Sequence, residues 1–221
     1  MGTFSDSGSA QEHLIRDLAT DLMPVRRLRS PTVRALGWLA VVAMLAVALA
    51  MFADVPALER RLSVPDMWLA VTGSVLTAIL AALAAFQLSL PDANRAWALL
   101  PLPAALLWVV ASGLGCLRAW LVPGTHIAEL NDARDCLIFI IGISIPLSVL
   151  MIVMLRRACS LQPGLTAAIA GLATAAAAAT LLNFFHPFDA AATDLAVHTC
   201  AVALVIVANW GFSGRLLAIN P

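Results

Sequence analysis

Cys136 to Leu155 reads CLIFIIGISIPLSVLMIVML, a stretch of 20 residues without a charged side chain. A helix needs about 20 mostly apolar residues to cross the ~30 Å hydrocarbon layer of a bilayer. That layer holds no water to satisfy backbone amides, so a run of this length predicts a transmembrane α-helix. The stretch therefore places the chain among membrane proteins.

Five further runs of the same kind fill most of the 221-residue chain, of which 62% is hydrophobic and 12% charged. Soluble domains carry roughly 25% charged residues. We predict an all-α, polytopic membrane protein with a cytoplasmic segment at residues 1–34 and a six-helix transmembrane domain at residues 35–221. The five further runs are Ala35–Ala53, Met67–Pro91, Ala96–Leu117, Ala158–Phe188 and Leu195–Gly214.

The placement of arginine predicts the orientation of these spans. With a cytoplasmic N-terminus, that side holds nine arginines and the opposite side four, which fits the positive-inside rule and places both termini in the cytoplasm. The net charge is zero, so nothing indicates direct binding to nucleic acid. The cytoplasmic set is Arg16, Arg26, Arg27, Arg29, Arg34, Arg95, Arg156, Arg157 and Arg215, and the external set is Arg60, Arg61, Arg118 and Arg134. The longest connection, Arg118–Asp135, is then external.

The N-terminal segment carries a short amphipathic pattern. We expect residues 1–8 to be disordered and a helix to follow, since Ser9 and Glu12 have the spacing of a capping box and Pro24 ends the pattern. One face of this helix is apolar and carries Leu14, Ile15, Leu18 and Leu22, with Asp17 and Asp21 beside it. Such a stripe can lie on membrane lipids or in the groove of a protein partner, and the residues alone favour neither.

A family resemblance rests on several short stretches in a fixed order. LIRDL at 14–18 and DLMPVRRL at 21–28 lead directly into the membrane region, and LRR at 155–157 is followed by QPGLT at 162–166. Cys136 lies at the external start of the fourth span and His198 near the start of the sixth. In these features the chain resembles the NrsF family, bacterial inner-membrane anti-sigma factors that negatively regulate extracytoplasmic-function sigma factors of the SigF type.

The resemblance implies a function in binding rather than catalysis. The N-terminal helix would sequester an extracytoplasmic-function sigma factor, and the segment that follows it would couple the helix to the first span. The residues implicated in partner binding are Leu14, Asp17, Leu18, Asp21, Leu22, Pro24, Arg26 and Arg27. No cofactor is implied, and the sequence does not specify an oligomeric state.

The external side carries the candidate sensor residues. In the NrsF family, paired external cysteines carry stress sensing; this chain matches the first at Cys136, but Phe185-His186-Pro187 stands where the second is expected. Cys136 could instead form a disulfide with Cys116. Alternatively, Cys136, His186 and His198 could bind zinc or copper, since thiolate and imidazole suit these metals. Asp194 and His198 are four residues apart and share one helix face.

The alternative to a regulator is a small-molecule or metal-ion transporter. A transporter normally carries ionisable groups near the bilayer midplane, and none lies near the middle of the first five predicted spans. No nucleophile–base pair or phosphate-binding loop indicates an enzyme. The resemblance therefore implies a regulator that responds to periplasmic oxidative or metal stress.

Overall fold

The computed structural model describes residues 4–20, 28–54, 65–121, 130–158, 160–184 and 192–213, together with positions 56, 58, 59 and 63. Every regular element in these residues is helical. The chain therefore has the predicted all-α fold, built from an N-terminal helix and a set of apolar helices. The α-helices are α1 Phe4–Thr20, α2 Pro31–Ala50, α3 Pro65–Leu88, α4 Leu102–Leu121, α5 Leu130–Leu155, α6 Pro163–Leu182 and α7 Ala192–Ala208.

The N-terminal helix starts earlier than predicted. Helix α1 begins at Phe4, so the expectation of disorder across residues 1–8 is wrong for residues 4–8, and Ser9 lies inside the helix rather than at its cap. The helix therefore begins five residues before the predicted cap at Ser9.

Five helices are long and apolar enough to cross a membrane, counted over the described residues. They correspond to the first five predicted spans. The sixth prediction meets helix α7 and a π-helical turn, Asn209–Ser213, but the apolar part within the described residues, Thr199–Phe212, is shorter than a full span. The sixth span, the orientation and the division at residues 34 and 35 stay predictions.

The ends of the spans follow local backbone chemistry. Ser30 caps α2 by accepting a hydrogen bond from the Val33 amide at 3.4 Å, and Pro31 occupies the first turn, so the helix begins four residues before the predicted start at Ala35. Pro101 separates α4 from the preceding 3₁₀ helix, Arg95–Leu99.

The connection between α4 and α5, predicted to be the long external one, is shorter than expected. Helix α4 continues to Leu121 and α5 begins at Leu130, which leaves residues 122–129 between the two helices instead of 118–135. Helix α5 has 26 residues, about six more than a span requires. The additional turns contain Arg134, which is exposed.

Helices α3 and α6 form the centre of the bundle. They pack against each other, α4 packs on α3, and α5 and α7 pack on α6. The buried face of α6 consists mostly of alanine, including Ala167, Ala170, Ala173 and Ala177. Small side chains let membrane helices approach closely and so strengthen the van der Waals contact between them. This contact is important in a bilayer because the hydrophobic effect does not drive helices together there.

Candidate functional site

The apolar stripe of α1 is exposed. Leu14, Ile15 and Leu18 have 60%, 66% and 62% of their side-chain surface accessible, and every residue from 11 to 20 is exposed. Glu12 and Asp17 lie on the same helix and are exposed as well. The predicted partner-binding residues Leu14, Asp17 and Leu18 therefore lie together with Ile15 on an exposed helix.

The other predicted partner-binding residues lie outside the described part of the chain. These are Asp21, Leu22, Pro24, Arg26 and Arg27. The structure resumes at Leu28 and Arg29, which are exposed immediately before the first span. Nine residues, 21–29, connect the end of α1 to the Ser30 cap of α2, a distance of up to about 30 Å when extended.

Two of the predicted sensor residues, Cys136 and His198, belong to helices that the structure describes. Cys136 is six residues after the start of α5, and His198 is six residues after the start of α7, about 9 Å along each helix. Helices α5 and α7 pack against each other. The helix positions therefore place Cys136 and His198 at similar levels on neighbouring helices, with Asp194 one turn before His198.

An apolar cluster supports this level of the bundle. Ile140 of α5, Ala178 and Leu182 of α6, and Ala201 of α7 are buried together. Ile140 is one turn after Cys136, and Ala201 is three residues after His198. Helices α5, α6 and α7 thus meet about one turn along from the level of Cys136 and His198.

The side chains of the sensor residues themselves are outside the described part. This applies to Cys116, Cys136, Asp194 and His198, whereas His186 lies beyond the described residues altogether. Among the side chains that are described, no group of three or more His, Cys, Asp or Glu could hold a metal ion. The disulfide and the zinc or copper site stay predictions; the only sulfur described at this level is Cys200, a free and exposed thiol on α7.

Sequence reasoning missed a polar contact network at the start of α2, towards the end of the bundle opposite Cys136 and His198. The guanidinium of Arg34 is buried; it donates from Nη1 to Ser89 Oγ at 3.4 Å and from Nη2 to the carbonyl of Met154, and it lies 5.1 Å from the centre of the Phe86 ring. Four residues later, Trp38 Nε1 donates to the carbonyl of Leu147 at 3.2 Å. An arginine inside the first apolar helix was the available signal, since ionisable groups at such positions default to a functional interpretation.

Comparisons with known proteins give one match. A family model described as "NrsF: Negative regulator of sigma F" matches residues 18–218 of the chain. Neither a curated protein nor a solved structure matches it. The matched region covers the apolar helices and begins at Leu18, inside α1.

Proposed function

The chain belongs to the NrsF family, negative regulators of sigma F, and from this premise we propose that it is an inner-membrane anti-sigma factor whose α1 sequesters an extracytoplasmic-function sigma factor. The family and the apolar helices support a membrane protein that regulates a sigma factor negatively. To this we add α1 as the docking element, an extracytoplasmic-function sigma factor as the partner and the inner membrane as the location. The family match does not support the alternative function of a small-molecule or metal-ion transporter.

The exposed stripe on α1 is the observation that carries the proposal. Full burial of a leucine or isoleucine side chain contributes about 1.5–3 kcal/mol, so docking Leu14, Ile15 and Leu18 in a groove would supply much of a binding free energy. Helix α1 has 17 residues, close to the length below which isolated helices are marginal in water. A partner that covers the stripe would also stabilise the helix.

The charges beside the stripe favour a protein partner over the lipid surface. Glu12 and Asp17 are exposed on α1, and anionic headgroups would repel both. A basic groove on a sigma factor would attract them and orient the helix as it docks. We extend the docking surface to Asp21 and Leu22, and we assign the segment with Pro24, Arg26 and Arg27 to coupling between α1 and α2.

We also propose that the external ends of α5 and α7 form the sensor. Support comes from the similar levels of Cys136 and His198 on two packed helices, above the buried cluster around Ile140 and Ala201. His186 and Asp194 would complete the site. Oxidation of Cys136, alone or with Cys116, or binding of zinc or copper would then weaken the hold of α1 on its partner.

The docking proposal is tested by placing a charge on the stripe. We expect Leu18→Asp in the full chain, reconstituted in nanodiscs, to weaken binding of the cognate sigma factor by about 30-fold or more, which corresponds to the ~2 kcal/mol of a central apolar contact. His13→Asp adds the same charge on the opposite side of α1 and should bind within about threefold of the parent, because it leaves the stripe intact.

Two outcomes would contradict these proposals separately. Equal binding of the sigma factor by parent and Leu18→Asp would exclude the α1 stripe as the docking element. Failure of the parent to bind any sigma factor purified from its host would exclude the anti-sigma function itself.

The sensor proposal has its own experiment. A reporter driven by the sigma factor should rise in cells treated with a thiol oxidant or with zinc or copper, and Cys136→Ser should abolish the rise. Cys200→Ser is the matched control, since it removes an exposed thiol from α7 without touching the proposed site. A normal response in Cys136→Ser cells would overturn the sensor.

A further inference from the structure

Helix α2 connects the N-terminal segment to the bundle; Leu39, Val42 and Leu45 pack partly buried against the core, but its fully buried residues all lie near its start. Its buried residues are Arg34, Ala35 and Trp38, all within the first two turns. Beyond them the helix is half-buried or exposed, with Met44 and Val47 facing outward. The position of the cytoplasmic end of α2 therefore depends on these three side chains.

Arg34 joins three helices at this point. Its guanidinium donates to Ser89 just beyond α3 and to the Met154 carbonyl near the end of α5, and it lies over the ring of Phe86 in α3. The last carbonyls of a helix lack intrahelical partners and attract cationic donors. Arg34 thus caps the cytoplasmic end of α5 from a different helix.

Trp38 makes the second connection to α5. Its ring is fully buried, and its indole N–H donates to the Leu147 carbonyl at 3.2 Å, one residue after Pro146. Arg34 and Trp38 are one turn apart on α2, and their acceptors are about two turns apart on α5. Together the two hydrogen bonds fix the position of α2 along the axis of α5 and the rotation of α2 about its own axis.

Burying a charged group costs free energy that an apolar side chain in the same place would not cost. The described partners of Arg34 are neutral, a hydroxyl, a carbonyl and an aromatic ring, so no ion pair among them offsets the cost of burial. An apolar side chain would fill the same space without this cost. We therefore infer that the strength and direction of the Arg34 hydrogen bonds matter more than their contribution to the free energy of folding.

We propose that Arg34 and Trp38 form a latch that holds the start of α2, to which the sigma-binding segment is connected, and transmits movement of α5 to that segment. Helix α5 carries Cys136 at its external end and both latch acceptors in its cytoplasmic half. A shift of α5 would therefore displace the cytoplasmic end of α2, and with it the segment that leads to α1. The regulatory half of this inference rests on the proposed function; the positioning half does not.

The positioning half is tested by electron–electron distance measurements on the full chain in nanodiscs, with its four cysteines replaced by serine. Nitroxides at Leu28 and Leu161, both exposed, report on the entry to α2 relative to the loop after α5. The latched parent should give one narrow distance distribution. Arg34→Gln and Trp38→Phe should broaden it, whereas Arg34→Lys, which keeps a donor for the Met154 carbonyl, should restore most of the narrow component.

Two controls separate a latch from general packing. Arg29→Gln removes an exposed arginine just before α2 and should leave the distribution unchanged. A second label pair at Leu99 and Leu161 avoids α2 and should give the same distances in every variant. An unchanged Leu28–Leu161 distribution in Arg34→Gln and Trp38→Phe would overturn the latch, and so would equal broadening of both label pairs.

The regulatory half is tested in unstimulated cells that contain matched amounts of each variant in the membrane. Release of the latch should raise the sigma-dependent reporter by about fivefold or more, the lower range of measured coupling between sites. Arg29→Gln should not raise it. A second variant, which lacks residues 4–20, distinguishes two outcomes. If this deletion raises the reporter and Arg34→Gln does not, the coupling proposal is overturned. If neither variant raises the reporter, the proposed function is overturned instead.

Discussion

At the scale of single residues, two glycines set how closely the helices approach. A Cβ on Gly73 would lie 2.8 Å from the backbone of Trp108 in α4, and a Cβ on Gly171 would lie 2.9 Å from Ile206 Cα in α7. Backbone atoms cannot move aside as a flexible side chain can. The contacts of α3 with α4 and of α6 with α7 therefore depend on the absence of a side chain at these positions.

Gly171→Ala tests this dependence. We expect a loss of about 1–3 kcal/mol in the free energy of unfolding, the usual cost of an extra carbon in a packed interface. Gly142→Ala in α5 is the control: a Cβ at this position would meet nothing within 4 Å, so the better helix propensity of alanine should leave stability equal or slightly higher. Denaturant titration in mixed micelles measures both, and equal stability of the two variants would contradict the packing argument.

At the scale of helices, a buried polar cluster joins α5, α6 and the π-helical turn. Asn209 Nδ2 donates to Ser148 Oγ at 3.1 Å, and Ser148 Oγ donates to Thr174 Oγ1 at 3.1 Å. Asn209 is the first residue of the π-helical turn, a widened geometry that often marks functional positions. Hydrogen bonds are directional and apolar packing is not. These hydrogen bonds therefore fix how α5, α6 and the π-helical turn align with one another.

The cluster can be measured with a double-mutant cycle. Asn209→Ala and Ser148→Ala should each destabilise the folded protein, and the coupling energy between them should be about 0.6–2 kcal/mol, the range found for hydrogen bonds between membrane helices. Reversible unfolding in micelles provides the four free energies. Strict additivity of the two substitutions would show that the bond between Asn209 and Ser148 contributes nothing.

At the scale of the whole molecule, the predicted sensor level and the contacts of Arg34 lie towards opposite ends of the bundle. Cys136 and His198 lie on neighbouring helices towards one end, while Arg34, Ser89 and Met154 meet at the other. Helix α5 extends between the two levels and contacts both α7 and α2. A signal received outside would thus have a continuous packed element through which to reach the N-terminal segment.

The predicted orientation is accessible to thiol labelling. Cysteine at Arg134, which is exposed near the start of α5, should react with a membrane-impermeant maleimide added to intact spheroplasts, and cysteine at the exposed Leu161 should react only after lysis. The reverse pattern would place both ends on the opposite sides from those predicted and would remove α1 from the cytoplasm.

The residues of the candidate sites that could be predicted are those marked by a pattern in the neighbouring sequence. Leu14, Ile15 and Leu18 were identified by their spacing, and the structure leaves all three exposed on α1. Arg34 was counted only as a cytoplasmic charge, because nothing in its neighbourhood indicates an acceptor 120 positions later in the chain. Asn209 was missed for a similar reason: its partner Ser148 is 61 positions away.

The apolar runs determine that the chain is helical and where its first five spans lie, because backbone amides in a bilayer must be satisfied within each segment. The amphipathic spacing likewise determines the stripe of α1. Neither pattern specifies which helices become neighbours. That depends on the close approach at Gly73 and Gly171, on the small residues of α6 and on the bonds of Arg34 and Trp38, since packing joins segments that are distant in the chain.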